Sequence, residues 1–354
     1  MPVSIPPEIL NLIVEQHRED LKQLFSCSLV SKPWLQATRY YLFGEIILYL
    51  GGPYEARFLA LLGHPLCTFA TSVRKFWILP AQERELSKQV NENIAQLAKL
   101  TSVRTLRIHR QKMIPPQTLS VLATTFKGVT TLLMAVRFPA FASAVQFMGS
   151  FPLLEEVFFE PVRTQPGDFP SGIQMPARLR SVHLHSLCGH ERWFADNRVP
   201  TLSTLSIENI RPLDDIPRLN EILEIFSTDL RHLTLRFASK TGDFDVQVNL
   251  QHNTQLRALE IDLSMLTRRH VLPVISSLRA PHVETIVWRN RRVFNLSADL
   301  WAGLDALLAD RDAFGMLRSF TIMAKTAACN PRLLMPLCDA LGILCGEEDI
   351  AAAF

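Results

Sequence analysis

Residues 103–108 read VRTLRI, residues 179–184 LRSVHL, residues 230–235 LRHLTL and residues 256–261 LRALEI. All four are one phrase: an apolar residue, two variable ones, a second apolar residue, one variable residue and a third apolar one. Six further copies complete the series of apolar triplets Val73/Phe76/Ile78, Val103/Leu106/Ile108, Val129/Leu132/Met134, Leu154/Val157/Phe159, Leu179/Val182/Leu184, Leu202/Leu205/Ile207, Leu230/Leu233/Leu235, Leu256/Leu259/Ile261, Val283/Ile286/Trp288 and Leu317/Phe320/Ile322. Successive copies start 23 to 34 residues apart. The last two apolar residues of each triplet stand two apart, which is the period of a strand with one buried face, and the residues beside them point to solvent.

Between the copies, several segments carry apolar residues at helical spacing. They are residues 83–98 (Leu86, Val90, Ile94, Leu97), 117–126, 219–226, 268–278 and 300–308. Strand and helix thus alternate, and a helix is the usual crossover between parallel strands. The expected architecture is a solenoid: a curved parallel sheet with helices outside. A non-repetitive α/β domain whose strands read alike is the other arrangement this alternation allows.

From about Leu66 to Met323 the pattern resembles leucine-rich repeats, in an irregular form. The family's Asn or Cys three residues after each triplet is mostly missing: His185 is followed by Ser186 and Leu187, and Asp262 by Leu263 and Ser264. The resemblance implies a concave face built from the residues that flank the buried positions. These are Trp77, Arg107, His109, Phe158, Glu160, His183, His185, Glu208, Arg236, Glu260, Asp262 and Arg289. Aromatic groups gather toward the N-terminal end of the series and alternating charges toward the other. Arginine and aromatic side chains are what protein interfaces favour, so Trp77, Arg107, Phe158, His183, His185, Arg236 and Arg289 are candidate contacts for a protein substrate. An arginine also follows the first apolar residue in Arg74, Arg104, Arg180, Arg231, Arg257 and Arg318. Stacked in file, these suit an acidic or phosphorylated ligand, or else they are spacers paired with loop carboxylates.

Residues 5–48 read differently. Ile9, Leu10 and Ile13 have helical spacing behind Pro6 and Pro7, which are tolerated in a first helical turn. A second helix carries Leu21, Leu24 and Phe25, and Pro33 opens a third with Trp34, Leu35, Tyr41, Leu42 and Phe43. Some forty residues cannot bury so many apolar side chains among themselves, so a surplus face must meet the solenoid or another protein.

Here Ile5, Pro6, Glu8, Ile9 and Leu10, then Leu24, Cys27, Val30, Ser31, Lys32 and Trp34, resemble the F-box family, with Ile5 where leucine is commoner and Pro33 at a variable position. The resemblance implies docking on Skp1, with Pro6, Ile9, Leu10, Leu29 and Val30 in or near that interface and with Leu24 and Trp34 inside the module. It implies the role of a substrate-recognition adaptor of a Skp1–cullin–F-box (SCF) ubiquitin ligase, with Skp1 linking to a cullin–RING ligase and a protein substrate held on the solenoid. A helical cap for the solenoid, in a repeat scaffold or inhibitor without a ligase link, is the alternative. The expected fold is therefore α/β: an N-terminal three-helix F-box (1–48), a linker and cap (49–72), the irregular leucine-rich-repeat solenoid (73–323), and a C-terminal cap and tail (324–354).

Composition sets limits. With 48% apolar and 20% charged residues over 354 positions, the chain can bury its core without disulfides or metal. A formal charge of +3 with no long like-charge run gives no footprint for nucleic acid or a membrane surface. No apolar run approaches the roughly 20 residues needed to span a bilayer. Six scattered cysteines and no leader-like N-terminus point to the cytosol or nucleus. His183, His185, Cys188 and His190 cluster without a familiar zinc spacing, and no glycine-rich phosphate loop, GxSxG elbow or HExxH pair occurs. No cofactor and no catalysis of its own are expected. Cys338 and Cys345 fall in an apolar stretch read as a capping helix, and the tail from Gly346 as unstructured.

Overall fold

The computed structural model describes residues 5–50, 52, 54–80, 88–138, 141–159, 175–187, 201–211, 214–238, 247–262, 271–289, 298–324, 335–340 and 343–349. The chain forms two compact units, Met1–Arg178 and Leu179–Phe354.

The first unit opens with α1 (Pro7–Gln16), α2 (Leu21–Ser28) and α3 (Lys32–Leu42). Pro7 starts α1 with its φ already helical, and Asp20 caps α2 by accepting from the Gln23 amide at 3.0 Å. Helix α3 packs against both of the others. Leu10, Val14 and Leu24 are nearly or fully buried between the three, with Trp34, Ala37, Tyr41 and Leu42 packed around them. Burial pushes the Tyr41 phenol above its ordinary range, and the nearby Glu15 carboxylate adds to the shift.

Five strands follow: β1 (Glu45–Leu50), β2 (Lys75–Pro80), β3 (Thr105–Met113), β4 (Thr131–Arg137) and β5 (Glu156–Phe159). They pair in parallel and in chain order. Between them run α4 (Glu55–Gly63), α5 (Lys88–Gln96), α6 (Pro116–Thr125) and α7 (Phe141–Gly149). The expected boundary at residue 48 falls inside β1, and α4 lies in the stretch read as linker.

The second unit repeats the plan. Its strands β6 (Ser181–Leu184), β7 (Thr204–Ile210), β8 (His232–Phe237), β9 (Ala258–Asp262), β10 (Thr285–Arg289), β11 (Ser319–Ala324) and β12 (Leu344–Asp349) also pair in parallel in chain order. Among its described residues the helices are α8 (Ile216–Ile225), α9 (Val271–Ser276), α10 (Ala298–Leu308) and α11 (Pro336–Ala340). Among the described residues of the expected C-terminal cap, Pro336–Ala340 form a short helix, whereas Cys345, read as part of a capping helix, and Gly346–Asp349, read as an unstructured tail, belong to a strand because they find the β11 edge. The amides of Leu337 and Cys338, which open α11, are held by the buried carboxylate of Asp305 at 3.0 and 2.8 Å.

Every residue of the ten apolar triplets is buried, none more than 6% exposed. In eight of the ten copies the residue after the first apolar position has a backbone role as well. Its carbonyl accepts two amides from the next repeat: Arg74 from Arg104 and Thr105, Arg104 from Thr130 and Thr131, Arg231 from Arg257 and Ala258. Different side chains then pin neighbouring turns together. Arg74 and Arg104 reach the carbonyls of Ser102 and Gly128 at 3.3 and 2.9 Å, Thr201 that of Leu179 at 2.6 Å, and the buried Asn253 that of Leu223 at 2.9 Å. This variety accompanies the absence of a recurrent Asn or Cys after the triplets.

The helices join the sheet through Gly44. A Cβ there would lie 2.4 Å from the Tyr40 carbonyl oxygen, and the Gly44 carbonyl itself accepts the amides of Arg74 and Lys75 at 2.9 and 2.8 Å. The residue is therefore fixed on both sides. Gly44→Ala is expected to destabilise the first unit by about 1–3 kcal/mol, the range of an overpacked site, and a chemical denaturation midpoint equal to wild type would contradict this.

Candidate functional site

Two surfaces on the first unit and one on the second carry the residues singled out from sequence. The first is helical. Ile9 is 47% exposed, Leu29 87% and Val30 66%, and Pro6 is also exposed. Leu10, expected in the same interface, is only 3% exposed, because it is the residue of α1 that closes on Val14 and Leu24. It supports the face from beneath. Ile5, Leu12, Ile13, Leu21 and Phe25 are also exposed, although sequence reasoning put Ile13 on the same helical face as Leu10. The readable signal was the excess itself: five of the six residues from Ile9 to Val14 are apolar, more than one buried stripe can use.

The second surface is the open side of β1–β5. Strand register lines up Ile47, Trp77, Arg107, Leu133 and Phe158, so the expected Trp77, Arg107 and Phe158 come together in one row. Alternation in β4 shows which side this is: Leu132, Met134 and Val136 are buried while Leu133 and Ala135 are half-exposed. The Arg107 guanidinium lies over the Trp77 ring, 4.5 Å from its centroid. His109 is exposed two residues on, and Glu160 lies outside the described residues.

The third surface belongs to the second unit. His185 meets Glu208 at 3.7 Å, Glu208 meets Arg236 at 2.6 Å, Arg236 meets Glu260 at 3.4 Å, and Arg289 meets the same Glu260 oxygen at 2.6 Å. Asp262 stands in register with Arg236 and Arg289. Glu208 reaches its place because β7 bulges between Ile207 and Ile210, where Asn209 takes a φ of 50°, a conformation asparagine tolerates better than most residues. His183 instead hydrogen-bonds with the Ser181 hydroxyl at 2.9 Å. Sequence placed Arg236 and Arg289 among residues open to a ligand, whereas here both are drawn into a ladder with glutamates. Removing its central carboxylate in Glu260→Gln is expected to cost about 1 kcal/mol, since the groups are 21–40% exposed and partly screened. The check is denaturation at low and high salt. The loss should shrink as salt rises, and equal stability at low salt would show the ladder to be worth nothing.

Four of the six arginines of the row are likewise occupied. Arg74 and Arg104 reach backbone carbonyls, and Arg257 and Arg318 flank Glu284 at 3.6 and 3.9 Å. Glu284 holds the equivalent position in its own repeat, so the file partly neutralises itself.

On the helical side, a groove of about 470 Å³ between α6 and α7 is lined by Leu119, Ala123, Phe147, serines and Thr124, with Lys127 its sole ionisable residue. It offers no acid–base pair. Among the described residues no group of three or more His, Cys, Asp or Glu is placed to hold a metal, and Cys188 and His190 lie outside them. Among the same residues no helix is long and apolar enough to cross a membrane.

No protein-family model matches the chain, and no curated protein matches it. Among solved structures it is similar to one described as the crystal structure of the Rad7 and Elc1 complex in yeast, with 12% identity, a TM-score of 0.33, and coverage of 93% of this chain and 96% of that one. A likeness of that degree carries no functional argument, and the reading rests on the residues themselves.

Proposed function

We propose that this chain is the substrate-recognition adaptor of an SCF ubiquitin ligase, binding Skp1 through α1 and α2 and a protein substrate through its sheet. One observation carries the reading: the three-helix module closes its own core on Leu10, Val14 and Leu24 and still leaves Ile9, Leu12, Ile13, Phe25, Leu29 and Val30 in solvent. Leaving this many large apolar side chains of one small module in solvent is costly and marks an interaction site. The motif residues that resemble an F-box lie on this same module. A cap for the solenoid would instead turn these side chains onto Phe58, Leu61 and Leu62. The Phe58 ring is stacked among Phe69 and Phe76, and Leu61 is itself 61% exposed.

In this reading the chain works in the cytosol or nucleus and does no chemistry of its own. Skp1 joins it to a cullin–RING ligase that supplies the ubiquitin transfer, and the chain raises the local concentration of a substrate lysine near the charged carrier. A phosphorylated recognition segment has less support, because four of the six guanidinium groups of the file are engaged by carbonyls or by Glu284. The test is capture of purified Skp1 by the full chain and by a variant altered at Ile9 and Leu29.

A further inference from the structure

Strand β1 ends the sheet: β2 pairs with one of its edges, α4 packs on it as the crossover, and no described strand takes the other edge. The Gly44 carbonyl faces β2, where it accepts the amides of Arg74 and Lys75. Backbone groups alternate in direction along a strand. Ile46, Leu48 and Leu50 therefore bond to β2 as Gly44 does, and the amides and carbonyls of Glu45, Ile47 and Tyr49 point outward. Of these outward groups the Tyr49 carbonyl accepts the Gly52 amide at 3.0 Å, and among the described residues the others have no backbone partner. Proteins usually blunt such an edge with lysine, proline or a bulge. Glu45–Leu50 has none of these: it holds an unbroken register with β2, and its one charge, Glu45, lies 3.8 Å from Lys75. Ile47 and Tyr49 are 46% and 50% exposed.

We infer that β1 joins β1 of a second copy of this chain, antiparallel and centred on Ile47, so that one sheet runs across a two-fold axis; the inference is independent of the ligase reading. The order of residues in the strand argues for this occupant. Ile47 exchanges both hydrogen bonds with its counterpart in the other copy, and Glu45 does so with the opposite Tyr49. On the open face Ile47 then lies beside Ile47 and Glu45 beside Tyr49, while on the other face the half-buried Ile46 lies beside Leu48. No like charges meet, because the two Glu45 side chains stand about 14 Å apart along the joint. Other registers are worse. A shift of one residue aims the outward groups at backbone that β2 already holds, centring on Glu45 sets carboxylate against carboxylate, and centring on Tyr49 runs off the end of the strand. Antiparallel pairing also puts the two helical modules, each at the N-terminal end of its β1, at opposite ends of the joint. Area sets the strength. A strand of this length spans about 20 Å, and a joint along it covers roughly a few hundred Å², less than the ~800 Å² per partner of a tight complex, so the pair dissociates in the micromolar range.

The experiment is sedimentation velocity of the full chain from about 1 to 200 µM, the range in which so small an interface fills. Wild type should pass from monomer to dimer. Ile47→Lys, which sets a lysine on the edge at a half-exposed position, should stay monomeric throughout, or at least raise the dissociation constant tenfold. Cross-linking then reads the register and serves even if Ile47→Lys does not fold. Facing residues of a hydrogen-bonded pair have Cα atoms about 5.5 Å apart, within the reach of a disulfide. Under oxidised glutathione, Ile47→Cys should therefore link two copies, whereas Tyr49→Cys, whose counterpart lies at the far end of the joint, should link no more than wild type with its own cysteines. A wild type that is monomeric at every concentration overturns the inference. So does a dimer that persists in Ile47→Lys, an Ile47→Cys that links no better than wild type, or a Tyr49→Cys that links as readily as Ile47→Cys. A dimer lost instead in Ile9→Asp/Leu29→Asp belongs to the helical surface and overturns it as well. Skp1 capture by wild type and Ile47→Lys is read in parallel. If Skp1 fails to bind while the β1 dimer forms, the ligase reading falls and the edge pairing stands; the reverse pair of results does the opposite.

Discussion

An Ile9→Asp/Leu29→Asp variant is expected to lose Skp1 capture while keeping its circular dichroism spectrum and thermal midpoint. Both side chains stand in solvent, 47% and 87% exposed, so their replacement leaves the module's core of Leu10, Val14 and Leu24 untouched. Covering a leucine or isoleucine contributes about 1.5–3 kcal/mol each, and forcing two carboxylates into an apolar contact costs more. A combined loss of at least about 4 kcal/mol corresponds to a thousandfold weaker dissociation constant. Calorimetric titration of Skp1 into the full chain measures it directly. Undiminished binding by the variant, or none by folded wild type, would sink the adaptor reading. Leu10→Asp cannot replace this test: at 3% exposure the charge would enter the core and unfold the module, and lost binding would then say nothing about a surface.

Phe76→Ala carries the second large effect. Phe76 is fully buried in the first apolar triplet and belongs to a file of rings: Phe43 to Phe69 at 5.2 Å, Phe69 to Phe58 at 6.0 Å, Phe58 to Phe76 at 6.3 Å and Phe76 to Phe126 at 5.6 Å. Phe43 ends α3, so the file runs from the helical module into the core beneath the sheet. Deleting a buried phenylalanine typically costs 3–5 kcal/mol through lost burial and the cavity left behind. For a unit of this size that is a fall of roughly 10 °C or more in melting temperature. Phe76→Leu should lose much less, since most of the volume remains. Thermal unfolding of the two variants side by side checks the point, and near-equal midpoints would show that the site collapses without cost.

How much of this was legible in the chain differs from element to element. The ten triplets were readable because strand periodicity is short and strict: a residue two positions on is on the same face, and all thirty apolar residues are indeed buried. Strands β1 and β12 escaped. In β1, five of the six residues from Glu45 to Leu50 are apolar, so alternation is hidden, and β12 is mostly polar after Cys345. Both are strands because a neighbouring edge offers them hydrogen bonds, at β2 and β11. Helix α1 shows a second limit. Ile9/Ile13 and Leu10/Val14 are both pairs four residues apart, so helical spacing cannot choose between them, and Leu24 of α2 makes the choice by packing on the latter.

The alternation of strand and helix, the buried side of ten strands, and a surplus of apolar residues in the first forty were all written into the order of residues. These follow from local periods and from composition, which need no partner to be read. Packing and register, in contrast, set which apolar residues of the helices stay in solvent, that Trp77, Arg107 and Phe158 share a row, and that Arg236 and Arg289 close on Glu260. Those pairings join residues some 25 to 50 positions apart. They depend on register and on repeat lengths that vary from turn to turn, and the contacts exist only once the sheet has assembled.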